Sequence, residues 1–364
     1  MLTKESLLLL GKYLISNQIK AGPAKGFVRR YRSTFRKGAP YPEITGYAAS
    51  SFSKLYDFEK DEKYLTCAIQ SADALIRYQQ QNGSIPTVIT VNGEFDNIAH
   101  IFDLAIIARG ILDVYQRTGE GRYLNSAKNI MKFIERFYIE NNFPSVVDLE
   151  GNYRETDFPK LFWINTKIII PFYQLYQITS DKSLLKSAEY VYKTLLKNFD
   201  QRGFFTCNTN SAYNRSHYQA YAIYGITYLH RWTKEDKYID IITKGVDFLR
   251  SLLSEEGGMY SEFSKNGAPK YSKGYDVPVS AQLAELIIYL NSVGVTNEDD
   301  AQTLRKIESF LNGKIVRNTW NNKMEGGLPF LEKGHFLQYT VPWGVEFSIH
   351  YMHDKKYLTI KKGK

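Results

Sequence analysis

The sequence predicts an all-α protein, an (α/α)6 toroid of six helical hairpins. Two observations lead to this fold class. One type of segment recurs with a period near 60 residues, since the corresponding positions Tyr64 and Tyr123 are 59 residues apart. Short polar connections also alternate with long loops rich in Gly, Asn and aromatic residues. This period is too long for a single helix and fits a hairpin of two helices that carries a long loop.

The recurring segments predict one amphipathic helix in each hairpin. Most open with Thr and acidic residues, which favour a helix N-terminus, and continue with apolar residues at spacings of three and four. These outer helices are predicted within 57–76, 118–134, 179–195, 233–249 and 296–311, and a first helix at 4–19 completes the set.

The segments that precede the outer helices are more apolar all round, which indicates helices buried on more than one side. These inner helices are predicted at 42–58, 97–117, 162–178, 216–232, 277–293 and 340–352. Such an arrangement closes naturally into a double ring. A solenoid of helix pairs is the competing arrangement, but it needs polar capping faces and shorter, more uniform repeats. We predict one domain over residues 1–354 and a basic tail over 355–364.

Composition limits the class of protein. The 364 residues include 47 Lys+Arg and 38 Asp+Glu, a formal charge of +9, and 43% are hydrophobic, as in ordinary globular proteins. No apolar stretch reaches the ~18–20 residues of a membrane span, and the run at 7–10 lacks a signal-peptide cleavage site. Two cysteines exclude a disulfide framework. We therefore expect a cytoplasmic protein.

Motifs for cofactors are missing from the sequence. There is no CxxC pair, no HExxH and no Walker-type loop, so we predict no metal and no other cofactor. Nucleic-acid binding has only the positive charge in its favour, and we do not expect it. The 28 Tyr, within 15% aromatic residues, indicate a polar-lined cavity or a wide interface, although AT-rich codon usage is an equal explanation.

Polar and aromatic residues recur at the N-terminal ends of the inner helices, which a closed ring directs into one funnel. The catalytic candidates are the carboxylates Asp96, Asp157, Glu43 and Asp103. The substrate-binding candidates are His100, Trp163, Tyr213, His217, Tyr218, Tyr275, Asp276 and Trp343. Asp96 is the first choice as acid/base, because it opens the second inner helix and is predicted to share a face with His100 and Asp103.

Each candidate also has a simpler interpretation. Asp96, Asp157 and Asp276 fit helix caps, and the histidines and tryptophans fit core packing. Asp103 is harder to explain in this way, because a carboxylate in the second turn of an apolar helix is costly unless paired or solvated. The repetition of such residues at one end of successive helices favours a site.

This set of side chains suits sugars. Aromatic rings stack on pyranose faces, and two carboxyl groups across a glycosidic bond perform acid/base hydrolysis. A Tyr, His or Lys beside a uronate carboxylate instead supports a lyase or an epimerase. Arg29 and Arg30 lie in a basic loop that leads to the funnel, and arginine pairs with carboxylate, sulfate or phosphate. An anionic glycan is therefore the expected partner.

The motifs YPEITGY at 41–47 and FDLAIIARGILDVYQRTGEGRYL at 102–124, with the Trp343 helix, resemble the six-hairpin glycosidase-like superfamily. The chain is most similar to uncharacterised members associated with polysaccharide metabolism. In the related unsaturated glucuronyl hydrolases an Asp at the start of an inner helix is the acid/base, and Asp96-Asn97 resembles that position. The resemblance implies a glycoside hydrolase. A lyase, a uronate epimerase, a non-catalytic glycan-binding homologue and an isoprenoid cyclase on the same toroid remain the alternatives.

Overall fold

A computed structural model describes residues 1–33, 35–138, 144–154, 162–206, 213–331 and 340–361, and leaves out the side chains of 162–164, 195, 213, 272–273 and 357–361. The predicted fold is confirmed: twelve α-helices over these ranges form an (α/α)6 toroid. The outer helices are α1 (Lys4–Asn17), α3 (Glu62–Arg77), α5 (Gly121–Glu135), α7 (Ser183–Leu196), α9 (Asp236–Ser251) and α11 (Asp300–Lys314). The inner helices are α2 (Pro42–Glu59), α4 (Ile101–Thr118), α6 (Ile169–Thr179), α8 (Ser216–Thr233), α10 (Val277–Ser292) and α12 (Pro342–Lys361).

The inner helices close into a ring. Each one contacts the next along the chain, with a 3-10 helix at Phe162–Ile168 contributing beside α6, and α12 returns to contact α2. Helices α2 and α4 therefore lie across the ring from α8 and α10. None of the described helices is both long and apolar enough to cross a membrane.

Tight turns join four of the inner helices to the outer helices that follow them. Lys60, Gly119, Ser180 and Lys234 end α2, α4, α6 and α8 in the left-handed conformation, with φ between 57° and 71°. This helix ending satisfies a terminal carbonyl and reverses the chain within a few residues. All the long loops are thereby placed at the opposite end of the hairpins, around one opening.

Two glycines set the closest approach in the ring. A Cβ on Gly110 of α4 would lie 2.1 Å from the carbonyl oxygen of Gly46 on α2, and one on Gly46 would lie 2.8 Å from the Cα of Ile107. Neither distance is possible for a real side chain. The two backbones therefore touch, which brings the first residues of α2 and α4 close together at the funnel.

Side chains fill the axis of the ring below the funnel. Lys167 contacts the rings of Tyr47, Tyr221 and Phe347. Deeper layers contain a hydrogen-bonded group and then an ion-paired group at the far end. The first is Ser51, Arg109, Tyr224, Glu285 and His350, and the second is Lys54, Asp57, Arg117, His353 and Asp354. The described residues thus close the ring at this end.

Short strands that the sequence does not predict surround the opening. They are β1 (Ala99–His100) paired with β2 (Val146–Val147), β3 (Tyr213–Arg215), β4 (Met259–Ser264) and β5 (Pro269–Asp276) in one antiparallel sheet, and β6 (Leu328–Pro329) paired with β7 (Thr340–Val341). Strands β1, β3, β5 and β7 each run directly into an inner helix. Backbone pairing therefore fixes the first residue of four of the six inner helices.

Three predicted boundaries of inner helices differ from the structure by more than two residues. Helix α4 begins at Ile101 rather than 97, because residues 99–100 pair with 146–147 as strands. The third inner helix starts as a 3-10 helix, and α6 follows with Pro171 in its first turn, where the missing N–H of proline is tolerated. Helix α12 extends to Lys361, into the predicted basic tail.

Candidate active site

Two carboxyl groups lie side by side at the funnel, because Glu43 and Asp103 occupy the first turns of the touching helices α2 and α4. Their residues are only 6% and 5% exposed. Burial raises the pKa of both carboxyls from the acidic to the neutral range, and for Glu43 the neighbouring Asp103 raises it further. The two groups therefore hold protons at a pH where ordinary carboxyls have lost them.

Two side chains lie at Oδ2 of Asp103, and a basic side chain lies beyond them. The Tyr41 hydroxyl donates a hydrogen bond to Oδ2 of Asp103 at 3.4 Å, and Nδ1 of His100 lies 3.7 Å from the same oxygen. Burial lowers the pKa of His100, so the ring is neutral at neutral pH. The guanidinium of Arg30 lies 5.0 Å from the centre of the Tyr41 ring, on the exposed side of this group. Arg30 thus places a positive charge near the carboxyl pair without neutralising it by direct contact.

A histidine and an aspartate form the opposite wall. His217 is the second residue of α8, and Asp276 precedes α10 and caps it by accepting the N–H of Val279 at 3.3 Å. Nδ1 of His217 lies 3.3 Å from Oδ2 of Asp276, within ion-pair distance but without the angles of a hydrogen bond. The Asp276 side chain is 1% exposed and that of His217 is 13% exposed, so the imidazole is the member of this pair that solvent reaches.

Aromatic rings connect the two walls. The ring centre of Phe330 lies 6.0 Å from that of Trp343 and 6.0 Å from that of His217. The Trp343 side chain also forms a hydrogen bond with Glu43, which lowers the pKa of that carboxyl. On the other side Tyr221 stacks on Phe102 at 5.5 Å, with only 10° between the ring planes. The funnel therefore presents flat rings between a carboxyl pair and a histidine, an arrangement that suits a sugar.

The floor of the funnel is formed by Lys167. Its ammonium donates a hydrogen bond to the Tyr47 hydroxyl at 2.9 Å and lies 3.6 Å from the Tyr221 ring centre. Burial lowers the pKa of Lys167 well below its ordinary value and raises that of nearby Glu346 well above it. Both carboxyl oxygens of Glu346 are buried and accept no hydrogen bond from the described residues.

The remaining predicted residues have different positions. Asp96 lies in a loop before α4, where its Oδ1 accepts the N–H of Val88 at 3.2 Å, so the predicted helical face shared with Asp103 is wrong. Tyr275 packs against Phe310 of the outer helix α11, with their ring centres 5.8 Å apart. Arg29 donates to the carbonyl of Gly38 at 3.0 Å and so holds its own loop. Tyr218 contacts His217, with their ring centres 4.1 Å apart.

Three predicted site residues lie outside what the structure describes in full. Asp157 falls among the residues that are not described. Trp163 is within the 3-10 helix and Tyr213 is within β3, and in both cases the description stops at the backbone. Their roles therefore stay predictions.

Six residues of this site are absent from the predicted set: Tyr41, Tyr47, Lys167, Tyr221, Phe330 and Glu346. A helical spacing was present for three of them. Tyr47 follows Glu43 by four positions, Tyr221 follows His217 by four, and Glu346 follows Trp343 by three. Steps of three and four continue the same helix face one turn deeper. Lys167 and Phe330 have no comparable signal. In the described part of the chain, no group of three or more His, Cys, Asp and Glu is arranged to hold a metal ion.

Solved structures of carbohydrate-processing enzymes share this fold. A sugar epimerase from a ruminal bacterium aligns with a TM-score of 0.80 at 12% identity over 97% of both chains. Cellobiose 2-epimerase from Bacillus thermoamylovorans aligns with a TM-score of 0.76 at 15% identity, over 94% of this chain and 95% of the other. An unsaturated glucuronyl hydrolase specific for heparin aligns with a TM-score of 0.71 at 15% identity, over 99% and 97%.

The chain has the six-hairpin glycosidase-like fold, as its sequence motifs predict. No family model and no curated protein matches the sequence itself. Because one fold carries many chemistries, the activity has to be argued from the site.

Proposed function

We propose that the protein is an enzyme that hydrolyses a glycosidic bond in an anionic oligosaccharide at this funnel. One observation carries the proposal: the buried carboxyls of Glu43 and Asp103 lie at the starts of α2 and α4, across the ring from His217 and Asp276 at the starts of α8 and α10. Hydrolysis needs a donor for the leaving oxygen and an acceptor for the proton of the attacking water. The two walls supply one of each.

Asp103 is the proposed proton donor. It is the more richly contacted carboxyl, with Tyr41 and His100 both at its Oδ2. Since burial raises the pKa of Asp103, the group is partly protonated at neutral pH and has a proton to give to the leaving oxygen. The tyrosine hydroxyl stabilises the carboxylate that remains. Glu43 stays neutral in this step and limits negative charge beside the donor.

His217 is the proposed proton acceptor. Water enters between the walls and attacks the anomeric carbon, while the imidazole takes its proton and Asp276 stabilises the resulting positive charge. The leaving oxygen takes the proton of Asp103 as the glycosidic bond breaks. One water molecule is consumed, and the groups are restored when His217 releases its proton to solvent and Asp103 takes one up. Arg30 is proposed to bind the acidic group of the sugar.

Epimerisation or isomerisation is the second candidate, because a histidine held by a buried carboxylate is also suited to removing a proton from carbon. A lyase uses the same base. All of these reactions share the donor and acceptor described above. What distinguishes them is the fate of water and of the carbon-bound hydrogen.

Isotope labelling separates these reactions. Acidic disaccharides are incubated with the enzyme in oxygen-18 water and, separately, in heavy water. Hydrolysis yields a new reducing end with oxygen-18 and no deuterium on carbon. Epimerisation or isomerisation yields deuterium on carbon in a product of unbroken length, and a lyase yields an unsaturated product without oxygen-18. Either of the last two results refutes hydrolysis, and no product from any acidic disaccharide refutes the proposed substrate class.

A further inference from the structure

A small β-hairpin connects the funnel to a second surface feature. Between α1 and α2 the chain doubles back, with antiparallel bridges between Arg29 and Pro40 and between Arg32 and Lys37. The base of the hairpin carries Arg30 and Tyr41, which belong to the active site. Its far end is a turn in which Ser33 and Arg36 are hydrogen-bonded to each other.

The hairpin is held firmly by the rest of the fold. The buried guanidinium of Arg32 donates to Oδ1 of Asn17 and to the carbonyl of Ser16, each at 3.0 Å. Its backbone exchanges two hydrogen bonds with Thr340, just before α12. These contacts anchor the hairpin to α1 and to the start of α12. The far end therefore keeps a fixed position relative to the funnel.

Two exposed aromatic rings lie side by side at the far end. Phe35 is 79% exposed and Trp320 is 78% exposed, and their ring centres are 6.4 Å apart. Large apolar side chains that are this exposed and also adjacent are unusual in a soluble protein unless they bind something. Trp320 comes from the loop between α11 and β6, so the pair joins two separate parts of the chain.

Positive charge surrounds this aromatic pair. The two rings line a cavity of about 290 Å³ together with Arg36, Lys37, Lys323 and Asn321. None of the three basic side chains forms an ion pair with a carboxylate of the described residues. The cavity thus combines flat rings, unneutralised cations and an amide.

We propose that this cavity is a second binding site for the same acidic glycan, which holds a distal part of the chain while its reacting part occupies the funnel. The inference rests on the proposed function for the identity of the ligand. Flat rings accept sugar faces, and the cations accept uronate or sulfate groups. The hairpin from Tyr41 to Phe35 spans at most roughly 20 Å, so the ligand is an oligosaccharide of several sugars.

The test measures binding of a catalytically impaired protein, so that turnover is not needed. Oligogalacturonates from disaccharide to octasaccharide are titrated by calorimetry into the Asp103→Asn protein, alone and combined with Trp320→Ala or Phe35→Ala. We expect affinity to increase from disaccharide to octasaccharide. Each aromatic substitution should weaken octasaccharide binding roughly tenfold and leave the affinity for the disaccharide unchanged.

The contribution of the basic side chains to octasaccharide binding is tested in the same titrations. Arg36→Gln with Lys37→Gln should weaken octasaccharide binding and reduce its dependence on salt, because fewer cations face the ligand. Lys186→Gln, an exposed substitution on the outer helix α7, is the matched control and should change neither. Circular dichroism of every variant confirms that the fold is retained.

The outcomes distinguish this proposal from the proposed function. Length-dependent binding that is lost in Trp320→Ala supports the second site even if no hydrolysis is found. Equal affinity for short and long chains, or an octasaccharide affinity that Trp320→Ala leaves unchanged, overturns it. Single-stranded oligonucleotides are also titrated, since rings and cations bind them as well. If they bind through Trp320 and the octasaccharide does not, the glycan assignment is wrong.

Discussion

Lys167 lies with its ammonium nitrogen 3.6 Å from the centre of the Tyr221 ring and donates a hydrogen bond to the Tyr47 hydroxyl. Burial disfavours the charge, while the rings and the carboxyls of Glu43 and Glu346 favour it. The side chain thus connects the floor of the funnel to the carboxyl pair above it. Its charge lowers the pKa of Glu43 and of Glu346.

Lys167→Met tests this connection. Without the ammonium, the Glu43–Asp103 pair loses a stabilising cation and should release its protons at higher pH. We therefore expect the basic limb of the pH profile of kcat/KM on an acidic disaccharide to move to higher pH. Lys186→Met on the outer helix α7 should leave the profile unchanged. An unmoved limb in Lys167→Met, or one moved to lower pH, contradicts the electrostatic link.

Asp103→Asn should lower turnover by roughly two to four orders of magnitude, the usual contribution of a positioned acid. Binding of the acidic disaccharide should be retained, because the amide has nearly the same shape. Kinetics and calorimetry on the same preparation measure the two effects separately.

Asp96→Asn is the natural comparison, since the sequence pattern and the family resemblance both point to Asp96 as the acid/base. In the structure, Asp96 lies half-buried in a loop and binds the Val88 N–H, so we expect a much smaller loss of turnover. If Asp96→Asn instead shows the large loss and Asp103→Asn does not, Asp96 is the acid/base and Asp103 is not.

Glu43→Gln should change how stability depends on pH. The pKa of Glu43 is raised by folding, so the native state binds its proton more tightly than the unfolded state does. The stabilisation is complete below the unfolded pKa of about 4.3 and is lost as pH rises through the neutral range. The Gln side chain does not titrate, so the Glu43→Gln protein does not lose stability in this way.

The melting temperature of Glu43→Gln, relative to wild type, should therefore rise by roughly several degrees between about pH 5 and about pH 9. Scanning calorimetry across this range measures the difference. Glu256→Gln, an exposed substitution, should show no such trend. A constant difference for Glu43→Gln at all pH values is inconsistent with a buried proton-holding carboxyl.

Arg30→Ala should raise KM for the acidic substrate roughly tenfold and change kcat less, because Arg30 is exposed and reaches the reacting groups only through Tyr41. The wild-type KM should increase with salt, and that increase should be smaller in the variant. A neutral disaccharide of the same linkage serves as the control. Equal effects on neutral and acidic substrates would mean that Arg30 does not recognise charge.

Local patterns in the sequence are sufficient to predict the ring. Six apolar helices alternate with six amphipathic ones, and apolar periodicity is a local property that each segment carries by itself. The start of α4 was predicted incorrectly because it depends on a remote event, the pairing of His100 with Val146. No pattern near residue 97 contains that information.

The site was predictable only in part for the same reason. Glu43, Asp103, His217, Asp276 and Trp343 all follow from the rule that the N-terminal ends of the inner helices converge. Tyr275 has the right position in sequence, yet its ring packs against Phe310 of α11. Lys167 carries no local sign of its role, because a lysine in an apolar helix is normally at the surface. Its surroundings come from three other helices.

The filled axis has a kinetic consequence. Lys167 and its aromatic neighbours block the passage from the funnel, and the ion pairs around Asp57 and Asp354 close the far end. Among the described residues no open passage leads through the ring, so under the proposed function a substrate enters and its product leaves through the funnel. A product that stays bound then occupies the space that the next substrate molecule needs, and we expect it to act as a competitive inhibitor.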